Sequence, residues 1–315
     1  MDKFILTVFL ILLFSCSKQI EIEIPKQESK LVINSTIGVQ HSFYMPDIMF
    51  LLLEIKDTKH IFDTTNNYIE NPDVYLYKNN ILIDTIEYID TTKIYSLNQT
   101  PFIGDKYSIR IKKGDYKTIT ANTSIPSKVI ITDTVITPLA YIDDEGFAVS
   151  EIVITFTDPA DEINFYEIAV SDIGFTFDNS DVSYYKLSTN DNIITSENYY
   201  PSLIRFDLKK PEFLLFRDSE INGMEHSLNV YYTPPQTWNS IGMHYITVHL
   251  RNVTEEYYNF KTSMLQHFYS KKEDILYGQG EPLNVIGNIK NGYGIFAGYN
   301  NDMASFRINS STINK

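Results

Sequence analysis

Period-two alternation of apolar residues, clusters of β-branched side chains and turn signals at roughly eight- to twelve-residue spacing predict a mostly β protein. The pattern falls into two sandwich-like parts, with a single amphipathic helix near the C-terminal end. Lys30 to Ile37 is rich in β-branched residues, and Ile48 to Leu53 is an apolar run of buried-strand length. Asp73 to Tyr77 and Ile81 to Ile86 flank Lys78-Asn79-Asn80, a hairpin turn in which Asn tolerates positive φ. Tyr107, Ile109 and Ile111 alternate with Ser108, Arg110 and Lys112, which describes a half-buried strand. Gly114-Asp115 then turns the chain into Tyr116 to Thr123, and the polar, proline-containing Ser124-Ile125-Pro126-Ser127 marks a boundary. Residues 28–127 are therefore expected to form an immunoglobulin-like or transthyretin-like β-sandwich able to fold alone.

The second part, 128–315, continues the same alternation. Ile152, Ile154 and Phe156 form one strand, stopped by Asp158-Pro159. Tyr166, Ile168 and Val170 form another. Leu228, Val230 and Tyr232 lead to Pro234-Pro235, and Ile246, Val248 and Leu250 make the next strand. Residues 176–202 are polar and read as long loops or a weak hairpin. The helix is expected over 254–271. Thr254 is placed to cap it, Glu255 and Glu256 favour its N-terminal dipole, and Lys271 and Lys272 favour its C-terminal end. Tyr257, Phe260, Met264 and Phe268 form its apolar stripe, expected to pack on a sheet. A Gly-rich strand ends this part.

The first 16 residues carry a different message. Lys3 supplies a positive start, and Phe4 to Phe14 form an apolar stretch broken only by Thr7. The stretch is too short for a membrane span and fits a signal-peptide core. Leu13-Phe14-Ser15-Cys16 looks like a bacterial lipobox. Residues 1–15 are thus expected to be removed and Cys16 to receive the lipid anchor. Residues 16–27 would be a lipidated tether. Ser17 in place of Asp points to outer-membrane sorting, on the cell surface or the periplasmic face.

Composition narrows the function classes. The 315 residues include 40 acidic and 26 basic side chains, a net charge of −14, which argues against nucleic acid as a partner. A single Cys rules out an internal disulfide and a Cys-based zinc site. None of the six His forms an HExxH pattern; His244 and His249, five apart on one strand, face opposite ways. Asp143-Asp144-Glu145-Gly146 and Asp158/Asp161/Glu162 match no EF-hand spacing and read as solvated turns. GxSxG is absent. No catalytic residue, metal or cofactor is therefore expected. The paired Tyr184-Tyr185 and Tyr231-Tyr232 should each place one ring inward. Tyr199, Tyr200 and Trp238, beside prolines or turns, are the candidate ligand-binding residues.

Several segments together resemble a lipoprotein family of Bacteroidota known as domain of unknown function 4249. They are the lipobox; Phe156-Thr157-Asp158-Pro159 with Asn164-Phe165-Tyr166; Phe216-Arg217-Asp218 with Ile221-Asn222-Gly223; and Thr254 to Tyr258. The last are Glu281-Pro282, Asn288-Ile289 and Gly292-Tyr293-Gly294-Ile295-Phe296-Ala297-Gly298. Asn222-Gly223 reads as a hairpin turn, and the C-terminal glycines as points of unusual φ or close backbone approach. The resemblance implies an outer-membrane lipoprotein, often encoded beside TonB-dependent receptors, and brings no enzymatic activity. The expected function is a non-enzymatic accessory or ligand-capturing partner of a TonB-dependent transporter. A structural or adhesive envelope protein is the alternative, and a surface hydrolase a lesser one.

Overall fold

The computed structural model describes residues 28–42, 45–58, 69–89, 94–97, 102, 104–175, 180–194, 212–234, 243–277 and 283–309. The lipobox with Cys16, the tether, Tyr199, Tyr200 and Trp238 lie outside the described residues. The first part contributes β1 (Leu31–Ser42), β2 (Met45–Asp57), β3 (Asp73–Lys78), β4 (Ile81–Glu87), β5 (Ile94–Leu97), β6 (Lys106–Lys112) and β7 (Ile119–Ser124). The second contributes β8 (Ile131–Ile142), β9 (Ala148–Thr157), β10 (Phe165–Phe175), β11 (Ser180–Tyr184), β12 (Leu187–Ser188), β13 (Phe213–Arg217), β14 (Glu225–Tyr232) and β15 (Met243–Val253). Helix α1 (Glu255–Tyr277) and strand β16 (Tyr293–Asn309) complete it.

The mostly β class is as expected, and the described strands form three sheets. The large sheet runs β11-β10-β15-β16-β1-β2-β5, with β13 also paired to β10; the smaller ones run β12-β14-β9-β8 and β4-β3-β6-β7. Each small sheet covers half of one face of the large sheet. Leu31, Ile33, Ile37, Met49, Leu51 and Leu53 meet Val74, Leu76, Tyr107 and Ile109 in one core. Tyr166, Ile168, Val248 and Leu250 meet Ile152, Ile154, Phe156 and Leu228 in the other. Along each of these strands the residues facing a given core sit two apart, which is why the period-two pattern is readable, although β10, β13 and β15 are buried on both faces.

One strand joins the halves. The start of β16 pairs in parallel with β1 from Val32↔Tyr293 to Gln40↔Asn301. Its remainder pairs antiparallel with β15 from Val253↔Tyr299 to Met243↔Asn309. Phe296 enters the first core, while Ile308 enters the second. Residues 28–127 therefore do not complete their own sheet, and the last strand of the chain supplies the missing neighbour of β1. The Ser124–Ser127 boundary is clamped as well. The Asn300 side-chain amide donates to the Pro126 carbonyl at 3.1 Å, and that of Asn252 to the Ser127 carbonyl at 3.1 Å.

Local differences from the sequence reading have identifiable causes. The Asn79-Asn80 hairpin is as expected, with both residues at positive φ. Asn222-Gly223 does not close a hairpin, because β13 lies in the large sheet and β14 in a small one; the turn carries the chain between layers. The long strand β8 is hidden from a pattern reading because Pro138 interrupts it. The edge position tolerates the proline, and a register shift between Thr137 and Tyr141, with Leu139 at φ 52°, absorbs it. Thr254 does precede the helix, but its hydroxyl is buried without a hydrogen-bond partner among the described residues. Its backbone N–H donates to the Gly298 carbonyl instead, and its carbonyl accepts from Tyr258 N–H. The helix also runs to Tyr277, and its stripe packs only in part: Tyr257 is buried, whereas Met264 and Phe268 are exposed.

Candidate functional site: a polar cavity between the helix and the large sheet

The first turns of α1 lie on the face of the large sheet opposite the two cores. Phe165, Leu215, Val253, Ile295 and Ala297 form the contact with Tyr257 and Tyr258. Beside this contact lies a cavity of about 360 Å³, lined by residues including Asn34, Glu167, Tyr184, Arg251, Lys261 and Tyr299. That volume is in the small-molecule range.

Its floor is charged. Glu167 and Arg251 stand opposite each other in the β10–β15 ladder. Arg251 Nη1 donates to Glu167 Oε1 at 2.5 Å, and the Tyr257 hydroxyl donates to Oε2 at 2.8 Å. Lys261 Nζ, one turn along α1 from Tyr257, is 3.8 Å from the same Oε2. Glu167 is only 1% exposed. Burial pushes its carboxyl upward, but Lys261, Arg251 and the Tyr257 hydrogen bond more than offset this and hold it below the usual range. Tyr257 is driven far above the ordinary phenol, first by burial and then by the Glu167 charge. The cluster thus holds a carboxylate with both oxygens engaged.

The aromatic walls are placed by a glycine. The Tyr299 ring lies directly on Gly38, where a Cβ would meet the ring at 2.1 Å. The Arg251 guanidinium then sits 5.6 Å from the Tyr299 centroid, and Lys261 Nζ 4.4 Å from the Phe213 centroid. Tyr184, at 48% exposure, stands at the opening, while Tyr185 turns inward and donates its hydroxyl to Asp172 Oδ2. This inward–outward division of the Tyr pair is the one the alternation predicted.

Farther along the same face, His249 Nε2 is 2.9 Å from Ser171 Oγ, and its Nδ1 is 3.3 Å from Asn301 Nδ2. This is a nucleophile-and-base pairing in outline. Burial, followed by the nearby positive Arg251, pushes the imidazole down to about 3, far from the range in which a general base works at neutral pH. The pair is better described as a satisfied buried polar contact.

The remaining sequence motifs resolve into structure. Asp158 Oδ1 accepts from the Tyr166 hydroxyl at 2.5 Å, and Oδ2 from Gly223 N–H at 3.0 Å. Asp218 Oδ2 accepts from Asn164 N–H at 2.7 Å. Four motif segments thereby tie one corner of the second sandwich. In the C-terminal motif, a Cβ at Gly294 would lie 1.9 Å from the Ile33 carbonyl oxygen, and one at Gly298 1.8 Å from that of Ser124. Asn288 donates to and accepts from the Phe296 backbone at 2.7 and 2.9 Å. These glycines serve close backbone approach. Asp143 Oδ1 accepts from Glu145 and Phe147 N–H, closing a turn.

Sequence reasoning singled out none of Glu167, Arg251, Lys261, Tyr299 or Gly38 as a site. The local signal, for Glu167 and Arg251 alone, is charge at a strand position beside core residues, as with Glu167 between Tyr166 and Ile168.

The architecture defines a mostly β, double-sandwich protein with a helix-covered polar cavity. The chain belongs to the family described as Domain of unknown function (DUF4249), whose model matches residues 17–305. No curated protein matches it. Among solved structures it is similar to a candidate membrane-anchored protein from Corynebacterium diphtheriae, at 11% identity and a TM-score of 0.20. That alignment covers 71% of this chain and 54% of the other, so the chain spans about half the length of that protein. It is also similar to the collagen adhesin of S. aureus, at 8% identity and a TM-score of 0.19, covering 88% and 95% of the two chains. Likenesses of this size establish no shared activity.

Proposed function

We propose that this protein is a non-enzymatic lipoprotein of the outer membrane, anchored through Cys16, that captures a ligand for a TonB-dependent transporter or caps its barrel. The lipobox Leu13 to Cys16 supports the anchor. Among the described residues no helix is long and apolar enough to cross a membrane. The observation that carries the binding role is the state of the cavity's charged groups. Glu167 has both oxygens engaged, so it is neither a free base nor a nucleophile; the rest of the lining is aromatic faces and polar side chains, with Lys261 and the exposed Glu212. Such a lining suits recognition better than bond making. The acyl anchor would raise the local concentration of the binding domain at the barrel.

The test is a pull-down of the tagged protein in mild detergent from its native outer membrane, with mass spectrometry of the recovered proteins. Stoichiometric recovery of a TonB-dependent barrel is expected. Recovery of the lipoprotein alone, under conditions that preserve a known transporter complex, would overturn the transport reading in favour of an independent envelope role.

A further inference from the structure

We infer that the cavity between α1 and the large sheet is a groove for a short, linear, neutral oligosaccharide. This deepens the ligand-capturing reading above and rests on it.

Charge is the first constraint. Among the described residues, the charged side chains of the lining are Glu167 and Glu212 against Arg251 and Lys261, so they balance. Arg251 and Lys261 share Glu167 on the floor, and Glu212 is exposed at the mouth. A charged ligand would meet no net opposite charge and would still give up its hydration on entry. The lining therefore selects a ligand without net charge.

The polar groups left to meet a ligand are neutral and within reach. Asn34 and Tyr184 are exposed and Thr36 is half-buried, and their side chains make no hydrogen bond among the described residues. An amide or a hydroxyl both donates and accepts, which matches a ligand whose own groups are hydroxyls. The exposed Tyr184 and the half-buried Phe260 add ring surface, on which the apolar C–H face of a sugar ring can pack.

Shape supplies the length. The lining draws on six strands that are neighbours in the sheet: Tyr184 on β11, Glu167 on β10, Arg251 on β15, Tyr299 on β16, Thr36 on β1 and Leu52 on β2. Neighbouring strands are about 4.8 Å apart, so the lining extends over roughly 20 Å. A volume of about 360 Å³ drawn out over that distance is a narrow groove. It crosses the face of the sheet, where the backbone groups are already used in the ladders. An extended peptide would find no strand edge to pair with there, whereas a chain of sugar rings needs only side-chain partners.

Calorimetric titration of the full chain, solubilised in a detergent without a sugar headgroup, tests this. The probes are maltotetraose, cellotetraose, xylotetraose, laminaritetraose and N-acetylchitotetraose. Glucose, tetragalacturonate and an N-acetylated, amidated tetraalanine are the comparators. At least one neutral tetrasaccharide should bind about tenfold more tightly than every comparator. Thr36→Val removes a hydroxyl on β1 and keeps the side-chain shape. Tyr184→Ala removes an exposed ring on β11. Each should weaken binding several-fold while leaving the thermal melt followed by circular dichroism unchanged. Absence of binding by every neutral tetrasaccharide, equal or tighter binding of any comparator, or full binding by both folded variants would each overturn the inference. A barrel recovered in the pull-down with no oligosaccharide binding overturns this inference alone; oligosaccharide binding without a barrel overturns only the transport reading.

Discussion

Lowering the pH from 7 to 5 is expected to cost the fold about 2 kcal/mol through His249 alone. The side chain is 8% exposed, and its imidazole is pushed down to about 3, by burial first and by Arg251 second. A histidine in the unfolded chain titrates near 6.5. The folded value is the lower one, so the contribution to stability is complete above about pH 6.5. It is lost as pH falls from there toward 3, at about 1.4 kcal/mol per pH unit once the unfolded form is protonated. Across pH 7 to 5 the integrated loss is about 2 kcal/mol, or about 3–4 °C in Tm for a chain of this size. Glu167, held low, loses its contribution only below the ordinary carboxyl range and so stays outside this window. Asp158 is raised, first by burial, and works in the opposite sense, since protonation relieves it. The assay therefore compares two proteins. Urea unfolding followed by far-UV circular dichroism at pH 7 and pH 5 is run on the wild type and on His249→Gln, whose amide stays neutral. The wild type should lose about 2 kcal/mol more than the variant over this interval. Equal losses would refute the reasoning, because they would mean that the buried imidazole accepts a proton in place.

Other expectations follow from the joint between the halves and from the anchor. Gly294→Ala puts a methyl group 1.9 Å from the Ile33 carbonyl oxygen at φ +103°, and should destabilise by at least about 3 kcal/mol. Gly146→Ala, also at positive φ but in open space, should cost only about 1 kcal/mol; similar melting temperatures for the two would contradict the packing account. A fragment of residues 28–127 lacks β16, so β1 becomes an open edge from Val32 to Gln40 and the place of Phe296 in the core is empty. That fragment should aggregate, and a cooperative monomeric melt would show that β16 is dispensable. Cys16→Ala should abolish labelling with radioactive palmitate and release the protein from the membrane fraction; unchanged labelling would remove the anchor from the proposal.

The sequence alone determined the features that depend on neighbours along the chain. Alternation such as Ile152, Ile154 and Phe156 marks a sheet face because successive side chains point to opposite sides. Asn79-Asn80 marks a turn because both residues tolerate positive φ. The acids of Thr254 to Tyr258 mark a helix start through the dipole. The proposed signal at Leu13 to Cys16 is linear and would be read in the unfolded chain, so folding would add nothing to it. Tertiary structure decided what depends on distant partners. Whether β16 pairs with β1, with β15 or with both is a matter of register between strands far apart in sequence, Tyr293 meeting Val32 and Asn309 meeting Met243, and no local preference encodes it. The cavity is of the same kind. Glu167, Arg251, Lys261 and Tyr299 come from four elements, and each alone reads as an ordinary strand or helix residue. They become a site because a charge on a sheet face is tolerated under a helix only where another element delivers its counter-charge, and that pairing exists only once the chain has folded.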